Sequence, residues 1–168
     1  MVDFLVIGLF QSFKYANVFP LFMEKRVHFG TKMIGMGEHM WFRVSEEVGK
    51  SKKYIDEKDG NIYTDVSGVS WLTTLDHNVK MKVDLKEIYE DGKYKKIDGT
   101  DIINVDSIND IPKDYPGVMA VPINFIDKIG DEYELVGAMG CGGKYNMMNP
   151  VVDGKNIYAR ILIQKISG

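Results

Sequence analysis

The sequence is short of cysteine. It has one, Cys141, which excludes an internal disulfide. With no charged-then-apolar leader at the start, it points to a reducing, cytoplasmic setting rather than export. The marked hydrophobic run, Phe4 to Phe10, is less than half the length a membrane span needs, so no membrane partner is expected. Histidine is scarce as well: His28, His39 and His77 stand far apart, and neither with one another nor with Cys141 do they show metal-ligand spacing. Nothing local orients a base toward Cys141, so it is not expected to act as a nucleophile. A basic excess is also missing. The net charge of −3 argues against non-specific polyanion binding, although a local basic patch is compatible with it. There is no internal repeat and no low-complexity linker.

What is present is globular. The 168 residues are 45% apolar and 27% charged, enough for one domain with a real core. The ten methionines read as adaptable core filler. The run Phe4-Leu5-Val6-Ile7-Gly8-Leu9-Phe10 has no alternation, so neither face is written for water. It predicts a strand covered on both sides, as in a parallel sheet, and gives the chain the look of starting in the middle of a fold.

Gln11-Ser12 then reads as a turn with Ser12 as a helix N-cap. Phe13, Ala16, Phe19, Phe22 and Met23 recur at helical spacing, and Pro20 predicts a kink or two short helices. Arg26 to Phe29 is a second strand, completing a βαβ-like unit. His39 to Val44 and Val69 to Leu75 are expected to pair with each other, with Trp41 and Trp71 in the core. Between them lies a charged excursion, 45–67, turning at Asp59-Gly60-Asn61. Val79, Met81, Val83 and Leu85 alternate with Lys80, Lys82 and Asp84, which predicts a half-exposed strand. Further strands are expected over Thr100–Val105, Val118–Val121 (stopped by Pro122) and Glu132–Met139. One helical turn is expected over Asn124–Ile129, and a hairpin from Val151 to Ile166.

Several stretches carry a resemblance. Ser70-Trp71-Leu72-Thr73-Thr74-Leu75-Asp76-His77 is one. Asp114-Tyr115-Pro116-Gly117-Val118-Met119-Ala120-Val121-Pro122-Ile123-Asn124-Phe125, followed by Asp127-Lys128, is another. Tyr94 to Asp98, Ile103 to Val105, Val152 to Lys155 and Tyr158 to Ile163 complete the set. In order and spacing the chain resembles the EcoRI-type adenine-specific DNA methyltransferases, in their C-terminal portion. The resemblance implies an α/β to α+β fold: a partial Rossmann-like methyltransferase sheet with a β-rich C-terminal part. It implies a single domain, 1–168, with 1–78 as the remnant of the sheet and 79–168 as the β-rich region.

Such enzymes move a methyl group from S-adenosylmethionine to an adenine N6. They hold the donor on an N-terminal half and use an Asn-Pro-Pro-Phe type motif at the base. Neither a Gly-rich donor turn nor that motif is found here; Asn149-Pro150 is followed by Val151 and lies in a loop. The expectation is therefore a C-terminal fragment or non-catalytic descendant. It would bind nucleic acid or nucleotide without transferring a methyl group on its own, with no catalytic residues and no cofactor unless a missing half supplies S-adenosylmethionine. Its expected partners are DNA or nucleotide and either a second copy or the complementary methyltransferase half. The alternative is a phage-type counter-defence protein that sequesters a nucleotide or blocks a defence protein.

Candidate contact residues follow. Asp76, His77 and Asn78 end a strand, where functional side chains sit in open sheets. Lys80 and Lys82 share a strand face and could meet phosphate, or simply protect an edge. Trp71 could stack on a base. Lys144 closes Gly137-Ala138-Met139-Gly140-Cys141-Gly142-Gly143-Lys144, which departs from a phosphate loop at Ala138 and Tyr145 and reads as an open loop or a backbone anion nest.

Overall fold

The computed structural model describes residues 3–34, 40–45, 53–66, 68–75, 83–140 and 148–166. The opening run forms β1 (Leu5–Leu9), and a 3-10 turn, Phe10–Lys14, follows it directly. Ser12 does not cap this turn; its hydroxyl donates back to the Leu9 carbonyl at 2.6 Å. Pro20 splits the helical segment as expected, standing in the first turn of α1 (Phe19–Met23), where its missing N–H costs nothing. Five residues cannot hold a helix by themselves. α1 is held by Phe19 and Phe22, which join Phe10, Phe13 and Phe29 in one aromatic cluster. The Phe10–Phe29 and Phe22–Phe29 centroids are both 4.8 Å apart, and each such pair adds about 0.5–1.5 kcal/mol beyond its area burial.

The chain continues through β2 (His28–Ile34), β3 (Met40–Val44), β4 (Lys53–Ile55), β5 (Ile62–Val66) and β6 (Val69–Thr73). Their pairing corrects two expectations. β6 does not pair with β3; it lies between β1 and β2, antiparallel to both. β1 is therefore an edge strand in an antiparallel setting, not a covered strand of a parallel sheet. Trp41 is not core either: it is about half exposed on β3. β3, β5 and β4 form a sheet of their own, in that order. Among the described residues, none of its side chains enters either core cluster.

The second half builds β7 (Ile103–Asn104), β8 (Met119–Pro122), β9 (Tyr133–Met139), β10 (Val151–Val152), β11 (Lys155–Asn156) and β12 (Arg160–Lys165). The order β7-β8-β12-β9 makes one sheet, in which β7 runs parallel to β8 and the other pairs are antiparallel. Strand alternation divides its side chains between two cores. Met119, Val121, Ala138, Ile161 and Ile163 face the phenylalanine cluster. Ala120, Met139 and Leu162 face the other way, onto Ile97 and Val152. Burial on both faces explains the unbroken apolar runs of β8 and β12.

The expected hairpin from Val151 to Ile166 is thus only β10–β11; β12 leaves it and becomes a central strand. The alternating segment after Asn78 is, where described, not a strand: Val83 and Leu85 pack against the main core from an extended segment. The result is a β-rich fold of several small sheets with few helices, and no described helix is long and apolar enough to cross a membrane.

Candidate functional site

The sheet β1-β6-β2 presents two unlike faces. Leu72 of β6 packs against the main core, so alternation turns Trp71 to the opposite side. Cross-strand register then groups Leu5 with Thr73, Ile7 with Trp71, and Leu9 with Val69. Leu5, Ile7 and Leu9 are 56%, 56% and 55% exposed, an apolar row along a strand whose outer edge is unpaired among the described residues. Trp71 is half-buried beside them because β2 makes room. Pairing slips between Phe29 and Met33, and Gly30 sits at the slip. A Cβ on Gly30 would come within 2.7 Å of the Trp71 Cβ, so only glycine allows this approach.

At the far end of β6, Thr73 donates to the Phe4 carbonyl at 2.8 Å, and the Phe4 amide donates to Thr74 at 3.0 Å. The C-terminal end of β6 therefore lies beside the start of β1 and beside His28, which is in register with Thr73. Of the residues expected to form the site, Trp71 is placed here. Asp76, His77, Asn78, Lys80, Lys82 and Lys144 lie outside the described residues.

The resemblance motifs in the second half carry structural work. Arg160 is buried. Its Nε donates to Asn104 Oδ1 at 3.0 Å, one terminal nitrogen to Asp106 at 2.8 Å, and the other to the Tyr158 carbonyl at 3.1 Å. This joins β12 to β7 through side chains as well as through β8. Asp98 accepts from the Asp153 and Gly154 amides at 3.1 and 2.8 Å, fixing the turn between β10 and β11, where both residues have positive φ. Lys128 is paired with Asp127 at 2.8 Å, and both are largely buried.

The sequence reading missed one cluster. On the β3–β5–β4 sheet, Trp41, Tyr54, Asp56 and Tyr63 line an open surface groove of about 450 Å³. Asn61 and the Tyr63 hydroxyl hydrogen-bond Asp59 and hold its carboxyl below the usual range, while the bond to Asp59 pushes the Tyr63 phenol up. The signal that could have revealed it is two tyrosines, Tyr54 and Tyr63, at strand positions within an otherwise charged excursion, with Trp41 on the strand just before it.

Gly8 lies inside β1 opposite Ser70, where a Cβ would meet Leu72 Cδ1 at 3.3 Å.

Comparison with known proteins gives a consistent result. A family model described as "Adenine-specific methyltransferase EcoRI" matches residues 2–165. The type II methyltransferase M.EcoRI of Escherichia coli is 34% identical over 167 residues, which is 96% of this chain and 49% of that protein. M.MpnI of Mycoplasma pneumoniae is 30% identical over 142 residues, 80% of this chain and 43% of that protein. M.MgeORF184P of Mycoplasma genitalium is 26% identical over 186 residues, 97% of this chain and 57% of that protein. The chain spans about half the length of these curated relatives. Nothing in them supports the counter-defence reading. No solved structure matches the chain.

Proposed function

The chain belongs to the family of the adenine-specific methyltransferase EcoRI, and we propose that it supplies the DNA-facing, C-terminal part of such an enzyme and transfers no methyl group alone. The observation that carries this is the row Leu5, Ile7 and Leu9 on the open edge strand β1. An exposed apolar edge of this kind is a pairing surface that proteins cover. The partner it fits is the cofactor-bearing half that makes up the rest of the relatives' length, adding strands next to β1 in a Rossmann-like sheet. Covering three half-exposed aliphatic side chains is worth about 1 kcal/mol each, enough to favour association when backbone pairing is added. Without that half, a second copy would take the edge.

In this arrangement Trp71 packs in the seam beside Ile7. DNA or nucleotide contact then falls to Asp76, His77 and Asn78, which follow β6 in sequence, and to Lys80, Lys82 and Lys144. S-adenosylmethionine belongs to the other half in this reading, since this sequence holds no Gly-rich donor turn.

The test mixes the chain with the N-terminal half of the Escherichia coli relative and follows tritium from S-adenosylmethionine into DNA. A complex that labels DNA, lost in an Ile7→Lys variant, is the expected result. Labelling by the chain alone overturns the proposal.

A further inference from the structure

The three-stranded sheet β3–β5–β4 carries chemistry that the methyltransferase reading does not use. Register sets Tyr63 opposite both Arg43 and Tyr54, and alternation puts Trp41 on the same face, two residues from Arg43. Asp56 follows Tyr54 by two positions, and its amide still donates to Asn61 across the strands at 3.0 Å. Trp41, Tyr54, Tyr63 and Asp56 line an open surface groove of about 450 Å³, the size of a small-ligand site. Its aromatic walls are solvent-facing, with Trp41 48% and Tyr54 51% exposed.

Wall geometry selects the ligand. The Trp41 and Tyr54 centroids are 5.8 Å apart at an interplanar angle of 55°. A base held between two rings needs parallel walls about 7 Å apart, two stacking steps of ~3.4 Å; these are tilted and too close. Tilted ring faces suit a compact cation, which is drawn to the negative face of each ring. Asp56 adds a carboxylate to the wall. Tyr63 donates its hydroxyl to Asp59 at 3.0 Å, which shifts electron density onto its ring. The surrounding charges are Asp56, Glu57 and Asp59 against Arg43 and Lys58, a slight acidic excess.

We propose that this face binds an organic cation, a quaternary ammonium or guanidinium group, against Trp41, Tyr54 and Tyr63 with Asp56 as counter-charge. The group can come from a free small cation or from a trimethyl-lysine or arginine side chain of a partner protein.

The test is nitrogen-15 NMR of the indole N–H signals. The chain has two tryptophans, and a Trp41→Phe variant identifies the Trp41 signal. Tetramethylammonium chloride, a trimethyl-lysine peptide, an arginine peptide and adenosine monophosphate are titrated separately against matched sodium chloride. Saturable movement of the Trp41 signal by tetramethylammonium is expected, with the Trp71 signal still. With Trp41 as the reporter, Tyr54→Ala weakens binding at least about fivefold and Asp56→Asn about threefold. Tighter binding of either peptide than of tetramethylammonium assigns the cation to a partner's side chain; equal binding assigns it to a free cation. A shift matched by sodium chloride, tighter binding of adenosine monophosphate, or an unchanged affinity in Asp56→Asn overturns the proposal.

Discussion

Replacing Arg160 by methionine tests how the second-half sheet is held together. The substitution keeps the length and apolar stem of the side chain and removes the guanidinium. Three hydrogen bonds are lost, to Asn104, Asp106 and the Tyr158 carbonyl. They are not equivalent. The Asp106 side chain is 79% exposed, so its carboxylate rehydrates and that ion pair contributes little. Asn104 is buried, and its Oδ1 loses the Arg160 donor, a loss that costs about 1–3 kcal/mol. With the weaker terms, Arg160→Met is expected to cost about 2–3 kcal/mol in urea unfolding followed by circular dichroism. That corresponds to roughly 4–12 °C in Tm for a chain of this size. Asp106→Asn should cost under about 1 kcal/mol. The double variant Arg160→Met/Asn104→Leu removes the orphaned amide and should recover about 1 kcal/mol or more relative to Arg160→Met. A loss below about 1 kcal/mol for Arg160→Met, or a double variant no better than the single, would refute the assignment of the cost to the orphaned Asn104.

Three further outcomes are expected. Gly30→Ala forces the Trp71 Cβ aside and should destabilise by about 1–3 kcal/mol in the same urea assay. Asp98→Ala removes the acceptor of the Asp153 and Gly154 amides and should speed hydrogen exchange at those two positions, with about 1–2 kcal/mol lost overall. At Asp59 the carboxyl is held low by Asn61 first and Tyr63 after it, so its contribution is present above the ordinary carboxylate value and fades as pH falls through the lowered one, below about pH 4. Asp59→Asn should abolish that acid-limb dependence and bring the Tyr63 phenol, followed by ring-carbon NMR, back down toward its usual titration.

Much of the local structure was legible in the sequence. Pro20 divides the helix, Asp59-Gly60-Asn61 turns the excursion, and Pro122 ends β8, because each fixes the backbone where it stands. Pairing was not legible. Alternation says which side chains share a face, but not which strand lies alongside, so β6 was matched with β3 when it lies between β1 and β2. The Phe4–Phe10 run, apolar throughout, predicts cover on both sides, yet Leu5, Val6, Ile7 and Leu9 are exposed: apolarity marks a surface that burial would favour, not the element that buries it. Val83 and Leu85 show the converse, alternating inward without any ladder, since packing against a core needs only the period of an extended backbone. Of the candidate contact residues Trp71 alone lies among the described ones, and its bed at Gly30 depends on a slip of register that no short pattern encodes.

The place of β12 has a consequence for how the molecule comes into being. β8 and β9 do not pair with each other; each is zipped to β12, which is made after both. During synthesis Tyr133 to Met139 must therefore wait without a strand partner, and Met119 to Pro122 with β7 on one edge alone, until Arg160 to Lys165 clears the ribosome. That interval is when a chaperone, or a neighbouring nascent chain, would have its best opportunity to seize them.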